Sequence, residues 1–248
     1  MMTEVLDTAD TERAKQAVRQ RVWDRLERQR LARFPGARGR IPNFVGAEEA
    51  AARLAALAQW RSAQVVKANP DSPQLPVRSR VLAGGKLLYL AVPKLAEEQP
   101  FVLLDPASLD VSPRKAAAKD RALRLGEPVG VADMRRVDLV VCGTVAVNRQ
   151  GVRIGKGGGF ADIEYGLLVE AGLVDENTVL ATTVHDVQVL DEELPETEHD
   201  FRVDLVVTPG EVIETARPRR SNGILWDHLP EEKIAAIPEL ARRRSLRS

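Results

Sequence analysis

Residues 138–168 read DLVVCGTVAVNRQGVRIGKGGGFADIEYGLL, and their order decides the fold. Val137 to Asn148 is a continuous apolar run rather than an alternating one, which predicts a parallel strand covered on both faces. A glycine-rich segment, RIGKGGGFAD from Arg153 to Asp162, follows it. ADIEYGLLVEAGLV then carries the periodicity of a helix. Strand, glycine loop and helix in that order form the unit from which parallel α/β sheets are built.

Outward from this unit the alternation continues. Towards the N-terminus, AQVVKAN, KLLYLAVP and FVLLDP read as short strands, and NPDSPQLP is turn chemistry. VRSRVLAGG reads as a helix stopped by glycine. Towards the C-terminus, VLATTVHDVQVL and VDLVVTP read as two further strands around the acidic segment DEELPETEHD. A basic amphipathic helix is predicted from Thr11 to about Phe34, with Val18, Val22 and Leu26 on one side, and an alanine-rich helix from about Ala47 to Gln59. PASLDVSPRKAAAKDRALRLGEPVG reads as polar, partly helical surface. The expected fold class is α/β, a Rossmann-like three-layer sandwich with a mainly parallel central sheet and helices on both faces. Residues 11–215 are expected to form this domain. Residues 216–248, proline-punctuated and ending in a basic helix, form an extension packed on it or trailing from it.

Thirty-six basic and 36 acidic residues balance, which gives no reason to expect nucleic acid or membrane as partner. The one cysteine, Cys142, lies in the strand-like run and reads as a small core residue. A disulfide framework is excluded, which fits a cytoplasmic location. The N-terminal segment is acidic and polar, unlike a signal peptide. No stretch approaches the roughly 18 apolar residues of a membrane span.

The glycine loop suits an anion. Gly155, Gly157, Gly158 and Gly159 let consecutive backbone N–H groups converge, and the following helix adds the positive end of its dipole. Arg153 and Lys156 supply formal charge. The segment matches neither the Walker A pattern nor the dinucleotide fingerprint, and the alternative to a phosphate cradle is a surface turn. Asp162, at the helix start, reads either as a first-turn carboxylate that favours the dipole or as a ligand for nucleotide-bound Mg²⁺. Asp200 is a second acidic candidate. His185 and His199 read as structural histidines, and no conventional nucleophile is evident.

Together these residues resemble the 5-formyltetrahydrofolate cyclo-ligase family, also called methenyltetrahydrofolate synthetases. The features are Lys15 and Arg19 on the first helix, the strand from Asp138, the segment from Gly151 to Asp162, and PETEHDFRVD from Pro195 to Asp204. The loop together with GILWDHL in the tail is similar to a divergent branch, the methenyltetrahydrofolate-synthetase-domain proteins. The resemblance implies ATP binding by Lys15, Arg19, Arg153, Gly155, Lys156, Gly157, Gly158, Gly159 and Phe160. It implies Mg²⁺ on Asp162 and Asp200, and a reduced folate near Arg19, Gln74 and Phe160. The implied reaction belongs to one-carbon metabolism: ATP-driven closure of 5-formyltetrahydrofolate to 5,10-methenyltetrahydrofolate by a monomer or homodimer. Phe160 and Ala161 stand where the family has two tyrosines, and Gln74 falls where it has a glutamate. An ATP-using enzyme with another substrate and a non-catalytic nucleotide-binding module are the alternatives.

Overall fold

The computed structural model describes residues 8–216, 220 and 222–247. The start of the N-terminal segment and the first residues of the basic tail, 1–7 and 217–219, lie outside the described residues. The chain opens with α1 (Thr8–Arg28), α2 (Ala47–Ala55) and α3 (Ala58–Ser62), followed by β1 (Val65–Ala68) and α4 (Leu75–Ala83). Next come β2 (Leu87–Ala91), β3 (Phe101–Leu104), α5 (Pro113–Ala116), α6 (Lys119–Leu125) and β4 (Glu127–Val129). The central unit holds β5 (Leu139–Cys142), β6 (Ala146–Asn148), β7 (Arg153–Ile154) and α7 (Phe160–Glu170). The chain closes with β8 (Val179–Thr183), β9 (Val189–Leu190), β10 (Leu205–Val207), β11 (Val212–Glu214), α8 (Glu231–Ala236) and α9 (Pro238–Ser245).

Eight strands form the main sheet in the order β11-β10-β8-β5-β1-β2-β3-β4. The five from β10 to β2 run parallel; β11 pairs antiparallel with β10, β3 with β2, and β4 with β3. Chain order reverses between β1 and β5, because β1 leads to β2 on one side while β5 leads to β8 and β10 on the other. In an open α/β sheet the crevice at such a reversal is where ligands bind. Two aspartates fix the neighbouring strands. Asp138, ahead of β5, accepts N–H bonds from Gln64 and Val65 at the start of β1 (2.8 and 2.9 Å). Asp204, ahead of β10, accepts one from Leu180 in β8 (2.7 Å).

Both faces of the sheet are covered, as expected. Val66, Leu88, Leu90, Leu139 and Val141 pack against Leu54, Val77 and Val81 of α2 and α4. The opposite face packs Ile163, Leu167 and Leu168 of α7 together with Ile234, Ile237 and Leu240 of the extension. Residues 222–247 therefore pack on the domain rather than trail from it. Burying each such aliphatic side chain contributes about 1.5–3 kcal/mol, so the extension is anchored by its own apolar residues.

Two long strands of the sequence reading are each broken. Val137 to Asn148 splits at Gly143 into β5 of the main sheet and β6 of a second, three-stranded sheet ordered β7-β6-β9. The run from Val179 splits at the turn of residues 186–188, leaving β8 in the main sheet and β9 in the small one. Apolar content cannot distinguish one strand from two collinear ones in different sheets. His185 forms that turn: its Nδ1 accepts from Val187 N (3.2 Å) and its ring packs edge-on to Phe44, the structural role expected. Cys142 is buried, and burial pushes its thiol pKa up, as befits a core residue. The first helix ends at Arg28, short of Phe34, because Arg30 turns to φ 56° and Ala32 bridges Phe44. The small sheet is covered by α1 through Val18, Val22 and Leu26.

Candidate functional site

A cavity of about 750 Å³ opens at the C-terminal ends of β1, β2 and β5, over the crevice where chain order reverses. Gly143, just past β5, keeps the crevice open. A Cβ there would stand 2.9 Å from Asp71 Oδ2 and 3.0 Å from Ile41. Asn69, Pro70, Asp71 and Ser72, which follow β1, line the same place. Arg78, buried in α4, holds that segment from beneath: its Nη1 donates to the carbonyls of Asn69 (2.6 Å) and Asp71 (2.9 Å). Burial lowers the Arg78 pKa to about 10 and Asp71 opposes the shift, so the guanidinium stays charged at neutral pH.

The glycine loop forms one end of the cavity. Residues 153–164 all line it, with Gly157 at φ 99° and Gly159 at φ 66°. These two positions lie in the left-handed region open to glycine. Gly159 leads directly into the 11-residue helix α7, whose N-terminal end therefore closes the loop. Lys15 and Arg19, four residues apart, lie on the inward stripe of α1 and both reach this end. Arg19 Nε donates to the Gly155 carbonyl (2.8 Å), and its Cζ lies 3.3 Å from where a Gly157 Cβ would sit. Arg19 thus underpins the loop.

Asp200 accepts from Lys15 Nζ (2.6 Å) and from the N–H and hydroxyl of Thr197 (2.6 and 2.8 Å). Burial alone would raise its pKa, but Lys15 and these hydrogen bonds outweigh it and the net shift is downward. Asp162 accepts from Arg153 Nη2 (2.9 Å). Its pKa is raised by burial first; Arg153 pulls it down, and the charge of Asp200 pushes it up again. The two carboxylates therefore feel each other across the cavity wall.

Arg153 lines the cavity at the start of the glycine segment. It belongs to β7, not to the loop, and its guanidinium is directed to Asp162 and the Gly143 carbonyl (3.1 Å) and lies over Phe201 (4.5 Å). It serves as the buried counter-charge of Asp162. Lys156 is the loop's available cation, half-exposed, with Asp71 at 3.8 Å. Gln74 is not brought to the cavity: it is fully buried, with its amide nitrogen 3.4 Å from Thr183 Oγ1 at the end of β8.

Several residues at the site escaped the sequence reading. Lys67 of β1 and Glu164 of α7 form a buried ion pair, with Lys67 also donating to Asn69 Oδ1 (3.0 Å), and Glu164 lines the cavity. A lysine inside VVKA and a glutamate inside IEYGLLV were visible signals, because buried charges require partners. His199, read from the sequence as structural, also lines the cavity, its Nε2 3.0 Å from Thr197 Oγ1 and its ring edge-on to His228 of the extension. Lys233, also from the extension, donates to the Gly158 carbonyl (2.7 Å). Burial lowers its pKa, with Asp162 and Glu12 opposing. Nothing in the sequence near Lys233 pointed to the loop.

Compared with known protein families, residues 11–209 match the model of the 5-formyltetrahydrofolate cyclo-ligase family. The chain belongs to that family. Its cyclo-ligase relatives include methenyltetrahydrofolate synthase domain-containing proteins. That of Mus musculus is 41% identical over 239 residues, covering 93% of this chain and 63% of the relative. That of Homo sapiens is 40% identical over 241 residues, covering 95% and 62%. The chain thus spans less than two thirds of the length of these curated relatives. Its fold is that of the 5,10-methenyltetrahydrofolate synthetase of Aquifex aeolicus, solved by NMR. The TM-score is 0.51 at 22% identity, with 88% of this chain and 99% of that one covered. The fold and the family are therefore assigned. The cyclo-ligase match ends before the extension that supplies His228 and Lys233. Among the described residues, no helix is long and apolar enough to cross a membrane.

Proposed function

We propose that the protein closes 5-formyltetrahydrofolate to 5,10-methenyltetrahydrofolate in the cytoplasm, using ATP and Mg²⁺ and releasing ADP and phosphate. The observation that carries this reading is the glycine loop at the N-terminus of α7, beside two mutually repelling carboxylates at the sheet's ligand-binding crevice. The loop amides and Lys156 are suited to the triphosphate, with Lys15 and Arg19 holding the cradle in shape.

Asp162 and Asp200 fit a hard divalent cation. They offer carboxylate oxygen, and their repulsion is what a cation would relieve. Among the described residues no group of three or more ligating side chains is assembled. That suits Mg²⁺, which keeps water and substrate phosphate among its ligands. When bound, it would neutralise charge on the phosphates.

In the proposed reaction the formyl oxygen attacks the γ-phosphorus, the bond to the bridging oxygen breaks, and ADP leaves. N10 of the folate then attacks the activated formyl carbon and loses its proton. The carbon–oxygen bond to phosphate breaks, giving the methenyl ring and inorganic phosphate. Such chemistry requires positioning and charge neutralisation rather than a protein nucleophile.

One observation favours a second reading, an ATP-using enzyme of this fold with another substrate. Gln74 is buried and does not line the cavity, whereas Glu164, paired with Lys67, does. Incubating the protein with 5-formyltetrahydrofolate, Mg²⁺ and ATP distinguishes the two. The expected result is near-ultraviolet methenyl absorbance rising in step with ADP. ATP binding without methenyl product would overturn the folate assignment and leave the second reading or a non-catalytic nucleotide module.

A further inference from the structure

The match to the family ends at residue 209, yet the cavity wall continues through Leu225, His228, Leu229, Pro230 and Lys233 of the extension. Lys233 is placed for more than packing. Its Nζ donates to the Gly158 carbonyl (2.7 Å), lies 5.1 Å from the centre of the Phe160 ring, and is 3.1 Å from where a Gly159 Cβ would stand. The ammonium therefore rests on the crest of the glycine loop.

The buried cations at this end are already matched to carboxylates. Lys15 lies 2.6 Å from Asp200 and 3.1 Å from Glu12, Arg19 lies 3.6 Å from Glu12, and Arg153 lies 2.9 Å from Asp162. Lys156 has Asp71 at 3.8 Å. Among the described residues, no carboxylate comes within 4 Å of Lys233. An ammonium has three donors, and the Gly158 carbonyl takes one. The position is fixed independently, since Ile234, Ile237 and Leu240 are buried in the core beside it.

We propose that Lys233 is a phosphate-binding residue of the nucleotide site, supplied by the C-terminal extension. This rests on the nucleotide reading above. When a triphosphate seats on the loop, the ammonium turns from the Gly158 carbonyl to a phosphate oxygen, and the extension becomes part of the site.

The test is MgATP binding by calorimetry to the full chain and its K233Q, K233R and K233E variants over a range of salt. Glutamine keeps a donor for the Gly158 carbonyl but loses the charge. K233Q should bind about tenfold or more weakly and with a shallower salt dependence. K233E should be weaker still, and K233R within about threefold of wild type, since arginine keeps a charged phosphate donor. Unfolding midpoints, expected to be unchanged, separate this from a structural effect. Wild-type affinity in K233Q or K233E, with the wild type binding, would overturn the role of Lys233 alone. No MgATP binding by the wild type would overturn both this and the nucleotide reading.

Discussion

Asp162→Asn is expected to lower stability by about 3 kcal/mol and turnover by at least about a hundredfold, for two separable reasons. The stability effect comes from Arg153, whose guanidinium is almost wholly buried and has Asp162 as its carboxylate partner. Asparagine still accepts a hydrogen bond but leaves the buried cation without counter-charge. The turnover effect comes from loss of an oxygen ligand for Mg²⁺ and of negative charge beside the phosphates. The double variant R153L/D162L separates the two. It removes both charges, so most of the stability should return while turnover stays low. Urea unfolding and initial rates at saturating MgATP read out both effects. Wild-type turnover in D162N would remove this residue from the metal site.

Glu164→Leu should destabilise the fold by about 3–5 kcal/mol, because it leaves the Lys67 ammonium buried with only the Asn69 side chain as hydrogen-bond partner. That is a large share of the roughly 5–15 kcal/mol that holds a domain folded. K67M/E164L replaces the pair by apolar groups of similar length and should recover most of the loss. Additive losses from the two single variants would show that the charges do not act as a pair. Because Glu164 lines the cavity while Lys67 lies beneath it, substrate saturation curves of the double variant report whether the carboxylate also contacts substrate. A raised KM at unchanged kcat is the expected sign of such a contact.

Much of this arrangement was legible in the sequence because local chemistry wrote it. The loop glycines, the i,i+4 spacing of Lys15 and Arg19, and the apolar run before the loop each act within a few residues. The layer architecture followed from their alternation. What could not be read depends on the third dimension. Gly143 ends one strand and begins another sheet where Asp71 and Ile41, both distant in the sequence, close on it. Arg153 looked like a loop cation by position, but the short strand β7 turns its guanidinium inward to Asp162. Gln74 matches the family pattern by position, but it lies at the end of a 3-10 turn, buried against Thr183 of β8. Lys233 reaches the loop only because the extension folds back over α7. Lys67 and Glu164 were the exception, since two charges inside apolar runs could have been paired from sequence alone.

The loop from Gly155 to Gly159 and the first turn of α7 are expected to cradle a nucleotide triphosphate. Amide hydrogen exchange measured with and without saturating MgATP tests it most directly. Added protection is expected to be greatest at the amides of residues 156–163, with smaller gains around Lys15, Thr197 and Lys233. Unchanged exchange across residues 156–163 while MgATP is bound would contradict it.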